Sequence, residues 1–194
     1  MALPETTEQA ARVAPHHRFR PAAFLDRDGV LNAETCHLNR AEDLAWLDGA
    51  RESVLRLNEA GYLVFVVANQ AGVARGYFTE RHVARFHARM QADLAEIGAH
   101  VDAFYYCPFH PHAAVAAYVC ADHPDRKPNP GMILRAFNEW PIDRAGSFLI
   151  GDRDTDIEAA RRAGIPGYLF DGDDLRITTE RALREQGRPP VRFT

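Results

Sequence analysis

Acidic residues that could share one cation stand at two places in this chain, Asp26-Arg27-Asp28-Gly29 and Gly151-Asp152-Arg153-Asp154-Thr155-Asp156. Three or more ionised aspartates brought to one spot repel one another, so a hard divalent ion with oxygen ligands is their natural complement, and Mg2+ leads the candidates. Asp and Gly are also ordinary turn residues after strands. That alternative weakens when several such clusters each close an apolar run. Lys127 is the one lysine among 23 basic residues, the other 22 being arginine, a skew whose plain cause is codon preference.

The elements that must position these residues alternate in type. Ala22–Leu25 and Tyr62–Ala68 are apolar, partly β-branched runs of the kind buried on both faces of a parallel sheet. Between them Ala50, Val54 and Leu57 form a helical stripe that Gly61 ends. From Thr79, an N-cap residue, the apolar positions Val83, Phe86, Met90, Leu94 and Ile97 repeat at steps of three and four until Gly98. Ala103–Tyr106 reads as a third strand, Gly131–Trp140 as a helix, Ser147–Gly151 as a fourth strand, Thr155–Ala163 as a helix and Tyr168–Phe170 as a fifth strand. This alternation predicts a doubly wound α/β fold with a parallel sheet, whose ligands bind at the carboxyl ends of the strands. The acidic clusters and Asn69-Gln70-Ala71-Gly72 fall at such ends.

Length and composition bound the rest. A chain of 194 residues, 46% hydrophobic, suits one domain with a sizeable core. Residues 1–20 are polar without period and are expected to form a flexible tail ahead of a single domain over 21–194. A formal net charge of -4 gives no footprint for nucleic acid or an anionic membrane, so the expected partner is a small molecule; the chain is expected to be a monomer. No apolar run is long enough for a membrane span and the start has no signal-peptide stretch, which makes the cytoplasm the expected location. Three cysteines, Cys36, Cys107 and Cys120, at irregular spacing argue against a disulfide framework.

Taken in order, Asp26-Arg27-Asp28-Gly29-Val30-Leu31-Asn32, Asn69-Gln70-Ala71-Gly72-Val73-Ala74-Arg75-Gly76, Arg126-Lys127-Pro128-Asn129-Pro130-Gly131-Met132, and Gly151-Asp152 with Asp156 resemble the four motifs of the haloacid-dehalogenase-like phosphatases. More narrowly they resemble the D,D-heptose 1,7-bisphosphate phosphatase branch, which is close to the histidinol-phosphate phosphatases. The resemblance implies a sheet in the order 5-4-1-2-3. It implies Asp26 as nucleophile, forming an aspartyl-phosphate that water hydrolyses, and Asp28 as the acid and base that serves both steps. Mg2+ would be held by Asp26, the Asp28 carbonyl and Asp152, with Asp156 behind them orienting metal-bound water and Asp154 a helix-start residue. Lys127 would neutralise Asp26 and the transferring phosphoryl group. Asn69, Gln70, Arg126 and Arg75 are the candidates for phosphate and substrate contacts. The expected substrate is a sugar phosphate, foremost the 7-phosphate of D-glycero-D-manno-heptose 1,7-bisphosphate; histidinol phosphate is the runner-up.

Two departures from the family pattern matter. Ala68 stands where the family has Thr or Ser, which removes a hydroxyl donor to the phosphoryl oxygen. A slower phosphatase is expected, with a low-activity phosphosugar-binding relative as the alternative. The second departure concerns Zn2+. Phe109 and Asp125 replace expected ligands around Cys107, leaving a rearranged set of Cys107, His110, Cys120 and His123 set against a metal-free, proline-stiffened loop. The metal-free loop is favoured, because those four must still meet in a tetrahedron. The stretches between motifs leave no room for a large cap domain, so the site should be open, shaped by Asn32–Asp48 and by the loop Pro108–Asn129.

Overall fold

The computed structural model describes residues 19–33 and 41–187. Five parallel strands form one sheet in the order β3-β2-β1-β4-β5, with β1 at Arg20–Leu25, β2 at Leu63–Asn69, β3 at Ala103–Cys107, β4 at Ile142–Gly151 and β5 at Gly167–Leu169. This is the expected order. Helices α1 (Ala50–Glu59), α2 (Ala71–Ala74), α3 (Glu80–Ala95), α4 (Gly131–Glu139), α5 (Asp154–Ala163) and α6 (Leu175–Glu185) complete the chain, with short 3-10 turns at Ala41–Asp43 and Ala116–Tyr118.

Alternation along each strand sorts side chains to two apolar layers. Ala23, Leu25, Val64, Val66, Phe148 and Ile150 pack against α1, α3 and α6 through Val54, Leu57, Phe86, Met90 and Leu183. Ala22, Phe24, Phe65, Val67 and Leu149 pack on the opposite face against α4 and α5 through Ile133, Phe137, Ala160 and their neighbours. Both faces of β1 are therefore covered, which is why its sequence is apolar throughout.

Several expected elements change at their edges. Arg20, assigned to the tail, instead opens β1 and donates to the carbonyls of Gly61 and Tyr62 at 2.9 Å each. Residues 1–18, the rest of that tail, lie outside the described residues, as do Cys36 and the stretch 34–40. β4 begins at Ile142 rather than Ser147 because a register shift opposite Pro21–Ala23 absorbs the polar residues ahead of Ser147. There the Ser147 hydroxyl accepts from the Ala22 N–H at 2.8 Å and donates to the Asp143 carbonyl at 2.6 Å. Helix α6 has no counterpart in the sequence reading, since its buried stripe includes Thr178, Thr179 and Ala182. Among the described residues no helix is long and apolar enough to cross a membrane.

The strand order positions the site. From β1 the chain runs outward to β2 and β3, then returns to place β4 on the other side of β1. The carboxyl ends of β1 and β4 flank the point where the order reverses, which is where such sheets open a crevice.

Candidate active site

Asp26 follows directly on β1, and Asp152 directly on β4. The Asp26 N–H donates to the Ile150 carbonyl at 3.0 Å, tying the first acidic cluster to the second. Two glycines make the close approach feasible. Gly29 has φ 85, and a Cβ built on it would lie 2.3 Å from Asp152 Oδ2; one built on Gly151 would lie 2.2 Å from the Asp156 Cβ. Any side chain at either place would push a carboxylate out.

Lys127 is buried between two of these acids. Its Nζ stands 2.8 Å from Asp26 Oδ1 and 2.5 Å from Asp156 Oδ1. Burial works to strip the Lys127 proton, but the attraction of Asp26 and Asp156 outweighs it and holds the ammonium above its ordinary range. For Asp26 burial wins over the pull of Lys127, and its carboxyl is pushed up. Burial, with the Asp156 charge second, also raises Asp152. Carboxylates in this condition are short of positive charge.

Their geometry fits a small hard cation. One oxygen from each of Asp26, Asp152 and Asp156 lies within 4.8 Å of the others, and Asp152 Oδ1 is a buried acceptor without a hydrogen bond among the described residues. Asp156 is already engaged, with Oδ1 on Lys127 and Oδ2 accepting the Arg153 N–H at 3.1 Å at the start of α5. Asp154 opens α5 as a first-turn acid.

Asp28 is held apart from this group. Its carboxylate accepts from Arg27 Nε and Nη2 at 2.8 to 3.1 Å, from Asn32 Nδ2 at 2.9 Å and from Gln70 Nε2 at 2.8 Å. Burial alone would raise its pKa, yet the Arg27 charge and these donors together keep it below the usual carboxylate range. Arg27 is 1% exposed, and its guanidinium lies over the Phe86 ring with 4.7 Å to the centroid. Neither Arg27 nor its partner His87 stood out in the sequence, because a lone Arg beside an Asp looks like surface and His87 sits on the apolar stripe of α3.

The cleft above these residues has a volume of about 720 Å³. Asn69 and Gln70 line it, and their amides are also engaged within the protein. Asn69 clamps the Lys127 backbone, donating to its carbonyl and accepting from its N–H, both at 3.0 Å. Gln70 donates to Asp28 and accepts from Arg27 Nη2 at 3.1 Å. Arg75 and Arg126 both reach the cleft, and among the described residues neither has an ion-pair partner. Burial, then the Arg75 charge, lowers the pKa of Arg126, so two cations face the same space. Tyr77 and Phe78 complete that wall without having been anticipated.

Ala68 is 1% exposed and packs in the apolar layer with Val66 instead of lining the cleft. The loop 108–129 contributes only Arg126 and Lys127 to the cleft wall. Its middle docks sideways, with the Val115 N–H donating to the Ala74 carbonyl at 2.9 Å and the Tyr118 hydroxyl to Glu80 at 2.7 Å. The candidate zinc ligands are only partly gathered. Cys107 Sγ is 3.7 Å from His123 Nδ1, which also accepts the Asp125 N–H, while His110 Nδ1 accepts from the His112 N–H. His123 stacks on Phe109 at 4.2 Å, and the four side chains do not form a ligand group; among the described residues the aspartate trio does.

Comparison with known proteins matches the geometry. The family model described as HAD-hydrolase-like covers residues 125–190. A D-glycero-beta-D-manno-heptose-1,7-bisphosphate 7-phosphatase of Rhodopseudomonas palustris is 45% identical over 173 residues, spanning 89% of this chain and 95% of the relative. The D,D-heptose 1,7-bisphosphate phosphatase of B. bronchiseptica, solved with magnesium and phosphate, is 32% identical with TM-score 0.69, covering 87% of this chain and 88% of its own. A protein of Mesorhizobium loti described as HAD-like superposes with TM-score 0.78 at 32% identity over 89% of this chain and 90% of its own.

Proposed function

The chain belongs to the heptose-1,7-bisphosphate 7-phosphatase family of HAD-like hydrolases, and from that premise we propose that it is a Mg2+-dependent phosphatase removing the 7-phosphate of D-glycero-D-manno-heptose 1,7-bisphosphate. The observation that carries the reading is Asp26 itself. Its Oδ1 takes the contacts from Lys127 and the Arg27 N–H, leaving Oδ2 of this cleft-lining side chain without a hydrogen bond among the described residues.

In this reading Asp26 Oδ2 attacks phosphorus while the bond from phosphorus to the sugar oxygen breaks. Asp28, which the Arg27 contacts keep ionised, takes up a proton from solvent against that pull, gives it to the departing alkoxide and regains one from the water that hydrolyses the aspartyl-phosphate. Lys127 holds Asp26 in place and offsets the charge of the transferring group. Asp26 and Asp152, with the Asp28 carbonyl, would hold Mg2+, which when bound supplies positive charge that draws nucleophile and phosphoryl oxygens together. Arg75 and Arg126, two cations facing the cleft without carboxylate partners among the described residues, suit the second phosphate of a bisphosphate.

Phosphate release is the test. The purified protein should act on both anomers of heptose 1,7-bisphosphate far better than on histidinol phosphate, stop on chelation of Mg2+, and lose turnover in Asp26→Asn. Preference for histidinol phosphate, or activity retained by Asp26→Asn, would overturn the reading.

A further inference from the structure

The hydrogen bonds that hold Asp28 do not end at Arg27. Arg27 Nη1 lies 3.3 Å from His87 Nε2, on the turn of α3 that also carries Phe86. A guanidinium has donors only, so the ring nitrogen facing it must be the acceptor, which makes His87 a neutral imidazole with its proton on Nδ1. The ring has little freedom to turn away. It stacks on Phe104 with centroids 4.4 Å apart and meets Tyr106 edge-on at 5.8 Å. Every nitrogen of Arg27 is thereby used: Nε and Nη2 on Asp28, Nη2 also on Gln70, and Nη1 on His87. Without the His87 acceptor a buried guanidinium N–H would be left unpaired, and the guanidinium would turn to find another partner. Asp28 would lose its alignment with it.

We propose that His87 is a positioning residue for proton transfer by Asp28, acting through Arg27. The proposal rests on the phosphatase reading above, because it assigns a supporting part to the group that protonates the leaving alkoxide. It also explains why a buried imidazole, 7% exposed, interrupts the apolar stripe of Val83, Phe86, Met90 and Leu94.

The test compares two leaving groups. The ratio kcat/KM counts steps only through departure of the first product, so it is blind to the later hydrolysis that all substrates share. An alkyl phosphate needs its oxygen protonated as it leaves; p-nitrophenyl phosphate does not. His87→Phe keeps a stacking ring and deletes the acceptor, whereas His87→Gln keeps an acceptor oxygen. In His87→Phe the alkyl-to-aryl ratio of kcat/KM should fall by about tenfold, and His87→Gln should restore most of it. An unmoved ratio, or Gln no better than Phe, overturns the proposal.

Should the variants not fold, nitrogen NMR of the wild-type protein still decides. A neutral His87 with unprotonated Nε2 at pH 6 is expected, and a charged ring or the opposite tautomer overturns the assignment. An inactive wild type, or an active Asp26→Asn variant, would sink the phosphatase reading instead, and the NMR result stands independently of it.

Discussion

Lys127 ties two acids of the cleft together, since its ammonium is the shared partner of Asp26 and Asp156. A compact ammonium fits that narrow place; a planar guanidinium is larger and asks for in-plane partners. Lys127→Arg is therefore expected to cost about 1 to 3 kcal/mol of stability through overpacking, and to lower kcat by about a hundredfold through displacement of Asp26. Urea denaturation and steady-state kinetics check the two effects, and near-wild-type activity would return the lone lysine to codon accident. Asp26, Asp28, Asp152 and Lys127 were legible as site candidates because their chemistry is local: acids at strand ends and a motif lysine. Arg27 and His87 were not, because the pair is 60 residues apart and meets only when α3 packs beside β1. Asn69 and Gln70 were placed at the right strand end, but the partners their amides take within the fold were not legible, since sequence position cannot tell which way an amide turns.

Elements were legible where burial forces a period. The two-faced apolar strands and the α3 stripe announced themselves, and with them the parallel sheet. Helix α6 was hidden because it packs through small and hydroxyl-bearing residues, and α2 because one turn has no period to detect. The turn after β1 is the element on which the cation site depends. Gly29 combines a left-handed backbone with an approach to Asp152 that leaves no room for a Cβ. In Gly29→Ala the backbone change alone is worth about 1 to 2 kcal/mol, and the displaced Asp152 should weaken Mg2+ by about tenfold or more. A Mg2+ titration of activity reads the second effect separately from thermal stability. An unchanged Mg2+ dependence would mean that Asp152 does not hold the ion.

The whole molecule sums these buried charges into a pH dependence of stability whose sign differs between groups. In the folded state burial, with the Arg27 charge second, holds His87 at about 3 against its ordinary 6.5. Below 6.5 the unfolded chain binds a proton that the folded protein refuses, so this contribution is present at neutral pH and drains away as the pH falls. Asp26 and Asp152 act in the opposite sense. Their raised values let the folded state keep protons that the unfolded state has released, so their contribution is lost as the pH rises. A bound divalent cation favours their ionised forms and suppresses that second effect. Asp28, with its lowered value, loses its contribution only in stronger acid, below the ordinary 3.8. In saturating Mg2+ between pH 7 and pH 5 the histidine is thus the group that distinguishes wild type from His87→Phe. Urea unfolding of the two should show wild type losing about 2 kcal/mol relative to the variant across that range. A gap that stays constant would mean that the folded protein accommodates a charged His87, and that Arg27 has another acceptor to turn to.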